Sequence, residues 1–252
     1  MPAFGPPVTG QSAVDGATPG RHPGPGTGGG RPRAPVVAID GPSGSGKSTV
    51  ARAVAVRAGL GYLDTGAMYR AVAVAALAAG IALDDTASVA SFARGLDLVV
   101  GTDPARAVVV AGGVDVTAAI REPAVSASVS AVATNLAVRA ELGRRARQVV
   151  DGGRVVLEGR DTTTVIAPDA DVRVLLTADA DVRLARRSRE VRGTADPAAL
   201  AATHAEVIDR DRRDGTVADF TAAAAGVQLL DTSTLGVAEA VECVLRLIAA
   251  RR

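Results

Sequence analysis

Short unbroken runs of aliphatic and β-branched residues alternate along this chain with longer alanine-rich segments. The first run, Val36-Val37-Ala38-Ile39-Asp40, reads as a strand buried on both faces. Ser48 to Ala58 carries no Gly or Pro and reads as a helix. Tyr62-Leu63-Asp64 ends a second short strand, and Gly66 to Ala79 is helical until Gly80 stops it. Asp84 or Asp85 caps a further helix that reaches about Arg94. The pattern then changes. Leu96–Val100 and Ala107–Ala111, followed by Gly112-Gly113, predict a small antiparallel hairpin. Helical sequence returns from about Glu122 to Val150, and Val155–Leu157, Val172–Thr177 and Val227–Leu230 are buried-strand candidates. A last helix spans about Val237–Ala250. Continuous apolar strands separated by helices imply a parallel α/β sheet, with the hairpin and the helices after it as an insertion.

Residues 1–34 break this pattern. They contain 16 Gly or Pro and almost no periodic apolar positions, so they are expected to be a disordered tail, with the folded part beginning near Pro35. Asp15 and the lack of an apolar stretch in the tail argue against a signal peptide. No uninterrupted apolar run is long enough to cross a bilayer; Ala71–Ala79 is too short.

Composition narrows the chemistry. The chain has 252 residues, a formal net charge of +1, no Trp and 2% aromatic residues. These values argue against nonspecific nucleic-acid binding and against base-stacking platforms. His22 lies in the tail and His204 stands alone as a surface helix residue, which excludes histidine triads and histidine metal sites. The single cysteine, Cys243, cannot form an internal disulfide; it reads as inert core in the last helix and fits a reducing cytoplasm.

Of the 28 basic residues, 27 are arginine and one is lysine. That lysine, Lys47, completes Gly41-Pro42-Ser43-Gly44-Ser45-Gly46-Lys47-Ser48-Thr49, which fits G-x-x-x-x-G-K-[ST] without a mismatch. A slim ammonium can lie along β- and γ-phosphates where a planar guanidinium does not fit. Strand, glycine loop and helix N-terminus together form an anion site, and Ser48 is the expected Mg²⁺ ligand. Arg183–Gly193 and Arg210–Asp214 are rich in arginine. Such runs alone read as solvated helix faces. Beside a phosphate loop they read instead as a mobile segment that closes over a triphosphate and neutralises transferring charge.

Over about residues 35–250 the chain resembles the bacterial cytidylate kinases, a branch of the nucleoside monophosphate kinases. The resemblance rests on Ile39 to Ser48, on Leu63-Asp64-Thr65-Gly66-Ala67-Met68-Tyr69-Arg70, on Ile120-Arg121 with Val125, on Glu158-Gly159-Arg160-Asp161, and on Arg210-Asp211 with Asp214. It implies a P-loop NTPase three-layer sandwich with a parallel central sheet. A monophosphate-binding insertion containing the hairpin would span about 66–150, and a short arginine-rich lid about 184–220, within a kinase domain of residues 35–252. It implies ATP and Mg²⁺ as cofactors, CMP and dCMP as acceptors, and a cytoplasmic monomer with no nucleic-acid or membrane partner. Residues 41–49 with Arg183 and Arg186 are expected to bind ATP. Thr65 and Arg70 are expected to meet the acceptor's phosphate, Asp64 to belong to the same acceptor site, and Ser130 and Arg139 to help read cytosine and phosphate. Arg160 and Asp161 are expected to hold phosphate and ribose hydroxyls, and Arg210 and Asp214 to approach the transferring group and the sugar. Lys47, Arg160, Asp161, Arg187 and Arg210 form the expected catalytic set. Phosphoryl transfer needs in-line positioning and electropositive clamps rather than a base, so the shortage of histidine is no objection.

The chain departs from that resemblance in two places, the lid and the residues after Gly-Arg-Asp. Val217 stands where an arginine is expected, Phe220-Thr221-Ala222 replaces Ser/Ala-Pro-Leu, and Gly-Arg-Asp runs into Thr162-Thr163-Thr164 instead of meeting a glycine. A charge-assisted hydrogen bond missing at 217 costs about 1.5–3 kcal/mol unless Arg212 or Arg213 replaces it. Two other readings stay open: a P-loop kinase for a different small acceptor, and a nucleotide-binding protein with a degenerate lid.

Overall fold

The computed structural model describes residues 34–251. The disorder expected for 1–34, and His22 with it, lies outside the described residues apart from Ala34. Five strands form one parallel sheet: β1 (Val36–Asp40), β2 (Gly61–Asp64), β6 (Val155–Gly159), β7 (Val172–Thr177) and β8 (Gln228–Asp231), in the order β2-β6-β1-β7-β8. The strands β1, β2, β6 and β7 are largely apolar because both their faces are covered. β8, expected to be buried, is instead an edge strand on which Gln228, Leu229 and Asp231 are exposed, because no neighbouring strand covers its outer side. Val36, Ala38, Leu63 and Leu157 face a core shared with α2 (Thr65–Ala78), α3 (Thr86–Gly95), α4 (Pro123–Ala133) and α5 (Leu136–Asp151). Val37, Ile39, Val156, Val174 and Leu176 face α1 (Lys47–Ala58) and α8 (Val237–Ala249) on the opposite side. Alternating residues of one strand thus serve two cores, which makes a three-layer sandwich.

Register brings the functional ends together. Asp40 of β1 lies opposite Gly159 of β6, and Asp64 of β2 lies opposite Glu158. β1 and β2 end in Asp40 and Asp64, and β6 carries Glu158 one residue before its end, so three acidic residues gather at one carboxyl edge, where open α/β sheets bind ligands.

The insertion carries a second sheet, β3 (Leu98–Val100), β4 (Val109–Ala111) and β5 (Val114–Asp115). The expected hairpin pairs Leu98 with Ala111 and Val100 with Val109. Gly112 and Gly113, at φ 58° and 79°, do not end it; they turn the chain into the extra strand β5. The helical stretch 122–150 is two helices. Pro123 opens α4, and Asn135 restarts the chain as α5. The arginine-rich runs are helical and pack on each other as α6 (Ala180–Arg192) and α7 (Pro197–Asp214), with Gly193 at φ 75° ending α6 and Asp196 capping α7. His204 is exposed on α7, as expected. Cys243 is not core. Ala240, Val241, Val244 and Ile248 form the buried stripe of α8, which leaves Cys243 half-buried at its margin beside Arg246.

The Asn135 side chain accepts from Ala137 N and Val138 N at 3.1 and 3.3 Å and donates to Thr86 O at 2.8 Å, so one buried amide caps α5 and ties it to α3. Asn135→Ala is expected to cost about 2 kcal/mol through the lost cap and an unpaired carbonyl. Urea unfolding checks this as a lower midpoint at unchanged slope.

Candidate active site

The loop between β1 and α1 is held open for an anion. Gly46, at φ 88°, enters α1 with no side-chain cap on the helix's first N–H groups. A Cβ at Gly44 would stand 2.3 Å from Arg183 O, so only glycine lets α6 press on the loop there. Pro42 O accepts from Ser45 N and from Lys47 Nζ, at 3.3 and 3.4 Å. Burial and the nearby Arg160 and Arg210 lower the Lys47 pKa to about 8, against the pull of Glu158 and Asp211.

Behind the loop stand the strand-end carboxylates. Glu158 is 3% exposed and accepts from Ser48 Oγ at 2.7 Å and Tyr62 OH at 3.2 Å. Burial, then Asp64, raises its pKa. Burial also opposes ionisation of Asp64, but Arg70 at 2.9 Å and Arg121 at 3.0 Å outweigh it, with Ala67 N–H, and lower the pKa. Asp64 is thereby both the cap of α2 and an ion-pair centre. Thr65 Oγ1 donates to Glu158 O at 2.8 Å. Asp40 accepts four hydrogen bonds of 2.7–2.9 Å, from the N–H and hydroxyl of both Thr162 and Thr163. The threonines that replace the expected glycine thus saturate a buried carboxylate and anchor a π-helical turn, Thr162–Ile166, just after Arg160-Asp161.

Asp161 pairs with Arg139, whose guanidinium also donates to Ala133 O at 3.0 Å. Burial and Asp40 raise the Asp161 pKa against the pull of Arg139. Arg160 donates to Gly41 O at 3.2 Å, pairs with Asp211 and Asp214 at 2.9 and 3.1 Å, and stacks 4.3 Å from the Phe220 ring centroid. The Phe220 substitution therefore places a buried aromatic face on this arginine. Arg210, 3.6 Å from Asp214, has a pKa lowered to about 10 by burial and Arg160.

These groups line one cleft with a cavity of about 170 Å³. It brings together Ser43, Gly44, Gly46, Lys47, Ser48, Thr49, Asp64, Thr65, Arg70, Arg139, Arg160, Asp161, Arg187, Arg210 and Asp214. Ser130, buried on α4, lines an adjoining hollow of about 480 Å³. Arg183 bonds Ser43 O and Asp211 at the side of the loop. Arg186 turns away from the phosphate loop's mouth to Thr232 and Leu235 O, bordering a separate hollow with Gly44 and Thr49. Of the arginines that could replace the one expected at 217, Arg213 lines the adjoining hollow, whereas Arg212 is exposed on Asp209.

Among the described residues, the buried side-chain polar atoms without a partner are Ser45 Oγ, Arg70 Nε, Arg210 Nε and Asp214 Oδ1. All belong to the loop or the cleft, so the unsatisfied groups of this fold collect where a polar ligand enters. No group of three His, Cys, Asp or Glu stands in metal-holding array among the described residues. The hydroxyl–carboxylate pair Ser48–Glu158 does suit Mg²⁺, which keeps several ligands from phosphate and water. Sequence reasoning assigned no role to Glu158, Asp40, Arg121, Asp211 or Phe220. Glu158 was findable, since an acidic residue closing an apolar strand must have a partner to offset its burial.

A parallel sheet whose first strand feeds a phosphate loop, facing an arginine-lined second site across one cleft, defines a P-loop phosphotransferase of the small-molecule kinase class. The cytidylate kinase family profile matches residues 37–250, and the chain belongs to that family. A cytidylate kinase of Cutibacterium acnes (strain DSM 16379 / KPA171202) is 46% identical over 217 residues, covering 84% of this chain and 95% of that protein. One of Nocardia farcinica (strain IFM 10152) is 44% identical, covering 85% and 93%. One of Solibacter usitatus (strain Ellin6076) is 40% identical, covering 86% and 93%. No helix among the described residues is long and apolar enough to cross a membrane.

Glu158→Gln keeps an oxygen for Ser48 and Tyr62 and removes the buried charge. Because the folded state raises the Glu158 pKa, the wild-type carboxyl favours folding only while protonated, and that contribution is lost as pH rises through the raised value. The ligand-free variant is therefore expected to melt above the parent, with the gap opening as pH rises above the ordinary carboxylate range and closing toward acid pH. Scanning calorimetry across these pH values checks it.

Proposed function

We propose that this protein transfers the γ-phosphoryl group of ATP to CMP and dCMP, giving CDP and dCDP, as a cytoplasmic monomer. The observation that carries the reading is the set of unpartnered buried atoms gathered at the phosphate loop and the arginine cleft facing it. In this reading residues 66–150 hold the acceptor and residues 184–220 form a lid. Residues 41–49 hold the triphosphate, with Lys47 alongside its outer phosphates. Arg186 borders the hollow that takes the donor's nucleoside. Thr65 and Arg70 take the acceptor phosphate, Arg160, Arg187 and Arg210 flank the transferring group, and Asp214 meets the sugar. Ser48, with Glu158 behind it, would hold Mg²⁺, which when bound neutralises charge on the outer phosphates.

The base would lie at the end of the cleft walled by Val129, Ala133 and Tyr69, where Asp161 and Arg139 stand paired. Cytosine offers an amino donor beside ring acceptors. A carboxylate accepts from the amino group while a guanidinium donates to the acceptors; uracil presents a carbonyl to the carboxylate and is repelled. This chemistry suits Asp161 better to the base than to the ribose. No base is needed at the reacting centre, because a phosphate monoester is mostly dianionic near neutral pH. Crowded arginines supply the remaining requirement, stabilising charge as it moves.

A coupled ADP-release assay with CMP, dCMP, UMP, AMP and GMP tests the proposal. Rapid turnover is expected with CMP and dCMP, and Asp161→Asn is expected to lower kcat/KM for CMP by about 100-fold and to narrow its margin over UMP. ATP binding without turnover of any monophosphate would move the assignment to another acceptor or to a degenerate lid.

Lys47 supplies a pH signature. Its ammonium is the form that meets phosphate, and in the free protein it is lost as pH rises through about 8. The kcat/KM for ATP is expected to fall about tenfold per pH unit above that value, and calorimetry in buffers of different ionisation enthalpy should show proton uptake on ATP binding near pH 8.5.

A further inference from the structure

Asp211, in the last turn of α7, has no role in the reading above, yet three parts of the site meet at its carboxylate. Oδ1 accepts from the phosphate loop's Ser43 N–H at 3.1 Å and forms an ion pair with Arg160 Nη2 at 2.9 Å. Oδ2 accepts from Arg183 Nη1 of α6 at 2.8 Å, and the same nitrogen donates to Ser43 O at 3.0 Å. Arg183 and Ser43 are thus tied to each other twice, once directly and once through Asp211.

Its neighbour Asp214 makes an instructive contrast. Asp214 pairs with Arg160 and Arg210 through Oδ2 and leaves Oδ1 buried without a partner, which suits a group that receives a ligand. Both oxygens of Asp211 are engaged by protein donors. It has structural work within the site and no free face toward substrate.

That work is electrostatic. Arg160, Arg183, Arg210 and Lys47 crowd one region, and like charges at close range repel unless an anion stands between them. Asp211 stands between Arg160 and Arg183. It also fixes where α7 closes, because its acceptor for Ser43 N–H can be supplied only with α7 seated on the loop.

We infer that Asp211 is a positioning residue for phosphoryl transfer: it seats α7 on the phosphate loop at Ser43 and holds Arg160 and Arg183 together beside it. The inference rests on the phosphotransferase reading above.

The test uses the full chain with Asp211→Asn, which is isosteric and keeps one acceptor oxygen, alone and combined with Arg183→Met. ATP affinity and stoichiometry come from calorimetry without acceptor, and kcat and KM from turnover with CMP. With stoichiometry unchanged near one, Asp211→Asn is expected to lower kcat by about 10- to 100-fold and to weaken ATP binding severalfold. Arg183→Met should cost about tenfold in the parent and less than about twofold in the Asn background, because residues acting as a unit are not additive. Tighter ATP binding by Asp211→Asn would overturn the inference, since the carboxylate would then be competing with phosphate. Additive losses would overturn it as well. So would an activity loss that only tracks a fall in binding stoichiometry, which is the mark of a general folding defect. A parent protein silent toward CMP would refute the acceptor assignment, and non-additivity in ATP affinity would still decide the role of Asp211.

Discussion

A buried charge must be matched, because leaving one uncompensated in a protein interior costs several kcal/mol. At the carboxyl edge of this sheet that requirement organises nearly everything. Asp40, Asp64, Glu158 and Asp161 are all buried there, and each is matched differently. Asp40 is saturated by threonine N–H and hydroxyl groups, Asp64 by two arginines and a helix N–H, and Asp161 by Arg139. Glu158 has only hydroxyl donors in direct contact, with the Lys47 charge nearby, and burial raises the pKa of Glu158 as it does that of Asp161. The positive groups show the converse strain, with Lys47 and Arg210 both pushed down by burial and by Arg160. A ligand carrying several negative charges would relieve the cationic side, which ties the electrostatics of the ligand-free protein to polyphosphate binding.

The sheet makes this crowding possible. Apolar residues on both faces fix the strands between two helix layers, so their ends have no freedom to separate. The register that places Asp64 beside Glu158 and Asp40 beside Gly159 then follows from packing rather than from attraction between the acids. Core burial holds the carboxylates where they would not gather by themselves. Strain of this kind is expected where a site is built for chemistry rather than for stability.

The departures from the family pattern become intelligible on the same terms. Thr162 and Thr163 lack the freedom of glycine, but their hydroxyls add two donors to Asp40 and stiffen the turn that follows Arg160 and Asp161. Phe220 supplies an aromatic face for Arg160 in the segment where Val217 supplies no charge. Arg160 is consequently fixed on its plane by the ring and on its edge by Asp211, Asp214 and Gly41 O.

Much of this was legible from residue order. The strand runs, the phosphate loop and the choice of lysine at 47 are local facts, because a continuous apolar run, a glycine turn and a helix start each depend on neighbours a few positions away. The arginine-rich runs were legible as charge, and the family motifs as a set of residues. What the sequence could not contain is which charge meets which. Asp40 finds its partners 122 and 123 positions away, and Asp211 meets Ser43 across 168. Cys243 illustrates the same limit on a small scale, since the stripe of α8 that turns inward depends on where the sheet lies. Local propensity and motif spacing determined the kind of fold and the kind of chemistry. The partners of each buried charge, and so the electrostatics of the site, were decided only when packing brought distant segments into contact, because pairing energy depends on distance and burial that no linear pattern specifies.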